Sequence, residues 1–185
     1  MARGIPLLLV FFLAACADLS PVDDPDPKQP VPRARLADVA PDEVVIVINN
    51  NAAGGRHSGL FAGRELSDPS GSYVFQRSNT PGWPGTSLDD YVAYQLEDGR
   101  NVRIYRFRVK APEFAEIERR IRATGVTAPL FCAVAVQNQI AGVGPFAGIA
   151  ETGWTSPSAL ARRLDALVGR AATAGACLRP SGSPC

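Results

Sequence analysis

The chain has 185 residues, of which 46% are hydrophobic and 20% charged, so it can bury a substantial core. Its 19 basic and 18 acidic residues nearly balance, which leaves no positive excess for binding nucleic acid or anionic lipid. One histidine and four cysteines confine proton-transfer and thiol chemistry to very few positions.

The N-terminal segment predicts export and lipid attachment. Arg3 precedes an apolar run, and Leu13-Ala14-Ala15-Cys16 follows it. The run is too short to span a bilayer comfortably, and it suits a cleaved signal peptide covering residues 1–15. The tetrapeptide resembles a bacterial lipobox, which implies cleavage before Cys16 and lipidation at that residue. An ordinary secretory signal with an incidental cysteine is the alternative.

The lipobox also implies a cellular location. Several acyl chains on Cys16 would anchor the chain stably, and Ala17 in the following position favours the periplasmic face of the outer membrane. Cleavage would remove one base, Arg3, and no acid, which leaves 18 residues of each sign. We therefore expect a monomer in the bacterial cell envelope, attached to the membrane by lipid and without a nucleic-acid partner.

Two polar segments flank one predicted domain, which covers residues 41–175. Residues 16–40 comprise the lipidated cysteine and a proline-rich tether that cannot bury enough surface to fold. Residues 176–185 form a tail in which Cys177 and Cys185 are expected to form a disulfide, as an oxidising compartment allows. The alternative is a tail without order and with free thiols. Pairing of these two would leave Cys132 as the unassigned thiol.

The predicted elements of the domain alternate between strands and helices. β-Branched and alternating runs predict strands, one of them with a possible shift in register, and capped amphipathic runs predict helices. This order predicts an α+β domain whose antiparallel sheet packs against helices. The strands are expected at 43–48, 57–62, 72–75 and 101–110, and the helices at 87–98, 112–124, 133–141 and 155–172.

His57 and Cys132 are the candidate catalytic pair. A thiolate is a strong nucleophile, and both a nearby imidazolium and a helix N-terminus lower the pKa of a thiol. Cys132 lies near a predicted helix start, where free N–H groups could also hold an oxyanion. Asp68, across the predicted hairpin, is the candidate for orienting the imidazole, and Gln76 is the alternative.

Each of these residues also has a purely structural interpretation. Cys132 shares one helical face with Val136 and Ile140, which is typical of a buried and inert thiol. His57 would then be a residue at the surface or at the edge of a loop. Asp68 would be an ordinary turn residue before Pro69.

Three short motifs occur in a recognisable order. His57-Ser58-Gly59-Leu60 lies on a predicted strand, Phe131 to Val136 carries the cysteine, and Thr155 to Leu160 precedes the final helix. This order resembles the circularly permuted NlpC-like papain-fold group, which includes lecithin retinol acyltransferase. The resemblance implies that Cys132 is the nucleophile and His57 the base. Many members have asparagine where Phe131 stands, and a second histidine where Asp68 would have to act.

The resemblance implies a thiol hydrolase or acyltransferase that acts on an amide, ester or thioester. A peptidoglycan peptide and a lipid acyl group are both possible substrates. A non-catalytic envelope lipoprotein that uses the fold for binding or scaffolding is the alternative, as is a cell-wall recognition module. No nucleotide-binding motif is present, and one histidine with scattered acids makes a poor metal site, so no metal or cofactor is expected.

Overall fold

A four-stranded antiparallel sheet lies at the centre of the computed structural model, which describes residues 35–70, 73, 87–125 and 127–173. The strand order is β3-β2-β1-β4. This architecture confirms the predicted α+β class with an antiparallel sheet. The strands are β1 (Glu43–Asn49), β2 (His57–Ala62), β3 (Glu65–Ser67) and β4 (Val102–Arg108); the helices are α1 (Leu88–Gln95), α2 (Ala111–Ala123), α3 (Cys132–Ile140) and α4 (Pro157–Thr173).

Helices cover both faces of the sheet. On β1, Ile46 and Ile48 point to the face on which α2, α3 and α4 pack. Val45 and Val47 point to the opposite face, which α1 covers. Because successive side chains of a strand alternate between faces, a strand buried on both sides reads as one continuous apolar run. This explains why β1 shows no alternation of polar and apolar residues.

The strand at residues 101–110 needs no shift in register. The pairing of β4 with β1 is continuous from Glu43 with Arg108 to Asn49 with Val102. The apparent shift in the sequence arises because Ile104 packs on the α1 side, while Tyr105 and Phe107 pack on the other. When a strand is buried on both faces, apolar residues occur at consecutive positions, and the sequence then looks as if the pairing register had shifted.

The short β3 leaves part of β2 without a neighbouring strand among the described residues. β3 pairs with residues 60–62 of β2 and with no earlier position. Within the described ranges, the first half of β2, which begins at His57, therefore has strand pairing only with β1. This open stretch of the sheet is where the N-terminus of α3 lies.

A polar network fixes the chain immediately before β2. Asn49 is the cross-strand partner of His57, and its side-chain nitrogen donates to the Gln95 carbonyl and side-chain oxygens, both at 3.1 Å, and to Asp98 Oδ2 at 3.0 Å. The amide of Arg56 donates to the Asn49 carbonyl at 2.7 Å. The position of His57 is therefore tied both to the sheet and to the end of α1.

Several sequence-based predictions lie outside the described residues. These are the lipidation site Cys16, the disulfide partners Cys177 and Cys185, and the alternative orienting residue Gln76. The predicted strand at 72–75 has only Tyr73 described. Among the helices that the structure describes, none combines the length and apolarity required to span a membrane.

Candidate active site

The structure brings His57 and Asp68 into direct contact. Nε2 of His57 lies 2.5 Å from Oδ1 of Asp68, and the side chains are 8% and 1% exposed. The other carboxylate oxygen, Oδ2, accepts a hydrogen bond from the amide of Tyr73 at 2.9 Å. Asp68 thus holds the imidazole through one nitrogen and leaves Nδ1 as the nitrogen that can face a reacting group.

Cys132 is the third member of this cluster. It is the first residue of α3, and its side chain hydrogen-bonds with His57. The backbone N–H groups of Ser58 and Ala133 also point at the sulfur. No side chain caps α3, so the Ala133 amide in its first turn remains available for a negative charge.

The pKa values in the cluster favour an ion pair. Burial lowers the pKa of His57, but hydrogen bonds to Asp68 and Cys132 outweigh it and raise the pKa to about 9. Burial alone would raise the pKa of Cys132, yet the hydrogen bond and positive charge of His57, with the two backbone donors, lower it. Both shifts favour a thiolate beside an imidazolium.

An apolar cavity adjoins the start of α3. Its volume is about 450 Å³, and its walls carry no charged side chain. Phe131 immediately precedes Cys132, and Ala135 lies one turn after it, so the cavity flanks the helix that presents the sulfur. Thr127, which also lines the cavity, donates its amide and hydroxyl to the carbonyl of Pro69, the residue after Asp68. The lining residues are Thr124, Thr127, Ala128, Phe131, Val134, Ala135 and Asn138.

The backbone is strained just before α3. Leu130 has a φ of 76°, the one non-glycine residue with positive φ among those that the structure describes. Its side chain is 81% exposed and that of Phe131 is 41% exposed. Bulky residues rarely adopt this conformation, and such strain is concentrated at functional sites.

Tyr91 lies beneath the cluster. Its ring is fully buried and stacks edge-on against Phe61 and Tyr73. Its hydroxyl occupies the space above Gly59, where a Cβ atom would lie only 2.2 Å from the phenol oxygen. Among the residues that the structure describes, that hydroxyl has no hydrogen-bond partner, an arrangement that costs roughly 1–3 kcal/mol.

The arrangement can perform nucleophilic chemistry without a metal. The described part of the chain holds no group of three or more His, Cys, Asp or Glu side chains placed to bind a metal ion. It holds instead a thiol, a base that shares a proton with it, and an acid that orients the base.

Comparison of the chain with protein-family models, curated proteins and solved structures finds no match.

All three sequence-predicted catalytic residues therefore meet at one place. His57 lies at the edge of a loop but is buried and contacts Asp68, so it is not a surface histidine. Cys132 is buried as its apolar stripe suggests, but its sulfur contacts His57 and backbone donors as well as the core. Sequence reasoning missed the Ser58 amide, because a backbone donor carries no sequence signal.

Proposed function

We propose that the protein is a thiol hydrolase or acyltransferase of the cell envelope, acting on an amide, ester or thioester. The observation that carries this proposal is the buried contact of Cys132 with His57, which Asp68 in turn holds. We further propose that the fold is a permuted papain-like arrangement and that Cys16 anchors it to the membrane. Three positions support that arrangement: Cys132 begins α3, His57 begins β2, and Asp68 directly follows β3.

The proposed reaction has two stages. The Cys132 thiolate attacks the substrate carbonyl, and the Ala133 and Ser58 amides lie where they can stabilise developing negative charge nearby. The imidazolium of His57 gives its proton to the leaving amine, alcohol or thiol, which departs as a thioester forms on Cys132. Neutral His57 then removes a proton from water or an acceptor alcohol, which attacks the thioester and releases Cys132.

The cavity beside α3 indicates the kind of acyl group. Its lining combines Phe131, Val134 and Ala135 with uncharged polar side chains. A charged peptide would lose hydration there without gaining an ionic partner, whereas an apolar chain would gain about 0.8 kcal/mol per buried methylene. We therefore favour a substrate with an apolar acyl group over a charged peptide.

Alkylation of the resting protein tests the nucleophile. At about pH 6 we expect iodoacetamide to modify Cys132 in the purified full chain at least about tenfold faster than a free thiol, because His57 lowers its pKa. Mass spectrometry of the peptide that contains Cys132 separates this site from the other cysteines.

The matched variant for that experiment is His57→Ala. Loss of the imidazolium should bring the rate at about pH 6 down to that of an ordinary or slower thiol, since only burial and two amides then act on the sulfur. An equal rate in the variant and the wild type would remove His57 from the mechanism.

A chain-length series tests the acyl site. With p-nitrophenyl acetate, butyrate and octanoate, kcat/KM should rise by about three- to fourfold per methylene that the cavity buries. Val134→Asp places a charge in the wall of the cavity, so kcat/KM of this variant should rise less with the length of the acyl chain. Ala115→Asp, on the exposed side of α2, is the charge-matched control. A chain-length dependence that survives in Val134→Asp would place the acyl group elsewhere.

A further inference from the structure

The turn that carries Asp68 begins where the strand pairing of β3 ends. The last pair between β2 and β3 joins Leu60 with Ser67, so Asp68 lies beyond the paired strands. An active site nevertheless needs its side chains within about 0.5 Å of the productive geometry, because the interaction of a carboxylate with an imidazole depends on distance and direction. The backbone of this turn is therefore held by contacts other than strand pairing.

The segment around Cys132 makes such contacts on both sides of Asp68. Nε2 of Gln139, on α3, donates to Oγ of Ser67 at 2.9 Å. Thr127 donates to the carbonyl of the proline that follows Asp68, with its hydroxyl at 2.8 Å and its amide at 3.1 Å. Thr127 precedes Cys132 by five positions, and Gln139 follows it by seven. The two neighbours of Asp68 in the chain are thus both bonded to the segment that carries the proposed nucleophile.

Gln139 is a buried polar residue on the same face of α3 as Cys132. Seven residues make about two helical turns, which places the two side chains roughly 10 Å apart along the axis. Gln139 and its partner Ser67 are each 1% exposed. Among the residues that the structure describes, Oε1 of Gln139 has no hydrogen-bond partner. An apolar side chain would avoid that desolvation cost, so what glutamine supplies at this position is the bond to Ser67.

We propose that Gln139 is a positioning residue that holds the turn of Asp68 against the helix of Cys132. Its hydrogen bond to Ser67 keeps the carboxylate aligned with His57 during the reaction. This inference rests on the proposed function of the Cys132 site. When the turn is held less closely, the carboxylate stabilises the imidazolium less, and the imidazolium in turn stabilises the thiolate less.

Gln139→Met tests the inference, because methionine keeps the approximate length and volume of the side chain but cannot donate. We expect kcat on p-nitrophenyl butyrate to fall about tenfold with KM unchanged, a part of the roughly 10²-fold loss that a misplacement of 1 Å can cause. The basic limb of the pH profile should move to lower pH, and the midpoint of Cys132 alkylation by iodoacetamide to higher pH. The titratable groups that face His57, Asp68 and Cys132, are themselves unchanged in this variant.

Ser67→Ala removes the same hydrogen bond from its other end. If that bond carries the effect, Ser67→Ala and Gln139→Met should lower kcat by similar factors. The double variant should then be no slower than either single variant, because the bond can be lost only once. Factors that multiply in the double variant would show that the two side chains act separately, and they would overturn the inference.

Gln137→Met is the matched control on the same helix. Gln137 is also fully buried, and its Nε2 donates to the carbonyl of Ala150 at 2.8 Å, while its Oε1 accepts from Arg163. Residues two positions apart on a helix do not face the same way, so Gln137 does not share the contact of Gln139. We expect Gln137→Met to lower Tm at least as much as Gln139→Met, yet to keep the wild-type kcat, pH limbs and alkylation midpoint.

The outcomes separate a positioning role from a structural one. A Gln139→Met protein that loses only Tm, as the control does, overturns the inference, and so does one that matches the wild type in kcat and in the alkylation midpoint. If wild-type Cys132 itself titrates like a free thiol, the proposed function fails, and that result is visible before any variant is made.

Discussion

Replacing Cys132 with serine is expected to abolish ester turnover, lowering kcat by at least about 10⁴-fold. The wild-type sulfur can carry negative charge before substrate arrives, because His57 and the Ser58 and Ala133 amides lower its pKa. A serine hydroxyl, which is far less acidic, would stay protonated in the same place. The measurement is the steady-state rate on p-nitrophenyl butyrate, with thermal unfolding to show that the variant folds.

Two further cysteines provide matched controls for that experiment. Cys177→Ser and Cys185→Ser change the same side chain at positions to which the proposal assigns no chemistry. Both variants should retain wild-type rates. Turnover that survives in Cys132→Ser would show that the reaction uses another nucleophile or none.

Asp68→Asn should have the second largest effect, a fall in kcat of about 10²- to 10⁴-fold. The amide keeps the shape of the side chain but has no negative charge to set against Nε2 of His57, which now lies 2.5 Å from Oδ1. The side-chain NH₂ group of asparagine can also donate to Nε2 of His57. This would favour the tautomer with the proton on Nδ1, the nitrogen that should be free to act as the base. Turnover against pH is the informative measurement.

The direction of the pH effect follows from the two pKa shifts. The wild-type rate should fall at high pH as His57, with a pKa of about 9, loses the proton that the leaving group needs. It should fall at low pH as the Cys132 thiolate is protonated. In Asp68→Asn the basic limb should move to lower pH, because the carboxylate no longer raises the pKa of His57. The acidic limb should move to higher pH, since less imidazolium is present to stabilise the thiolate.

An acid in a distant ion pair serves as the control. Asp165 bonds with Arg103 and Tyr105, both contacts away from the cluster around Cys132. Asp165→Asn therefore removes one carboxylate and should leave both limbs in place. A pH profile of Asp68→Asn that coincides with the wild type would show that Asp68 does not orient His57.

Local sequence signals were sufficient to predict the residues that the structure gathers around Cys132. His57 begins a strand, Cys132 begins a helix, and Asp68 begins a turn with Pro69, and each of these positions has a signature in neighbouring residues. β3 was not predicted because three residues are too few to show a period. The register of β4 was misjudged because burial on two faces hides alternation.

The remaining determinants depend on tertiary contacts. That Tyr91 fills the space above Gly59 follows from how α1 lies on the sheet, and no pattern around either residue encodes it. The Ser58 amide is available to sulfur because β3 stops at Ser67, which is a property of pairing across strands. Asn49 likewise contacts residues 46 and 49 positions away. These contacts join residues that are far apart in the sequence, so they depend on the complete tertiary structure and not on local sequence patterns.

The early end of β3 has a consequence for association between molecules. An unpaired stretch of strand is a template on which a foreign strand can add, and proteins commonly block it with charge, proline or a bulge. At the start of β2 the Ser58 amide is instead directed to the Cys132 sulfur. Within the described residues, the atom proposed to perform the chemistry thus also satisfies a strand donor that β3 leaves unpaired. We would look first to Cys132 variants for strand-mediated oligomers.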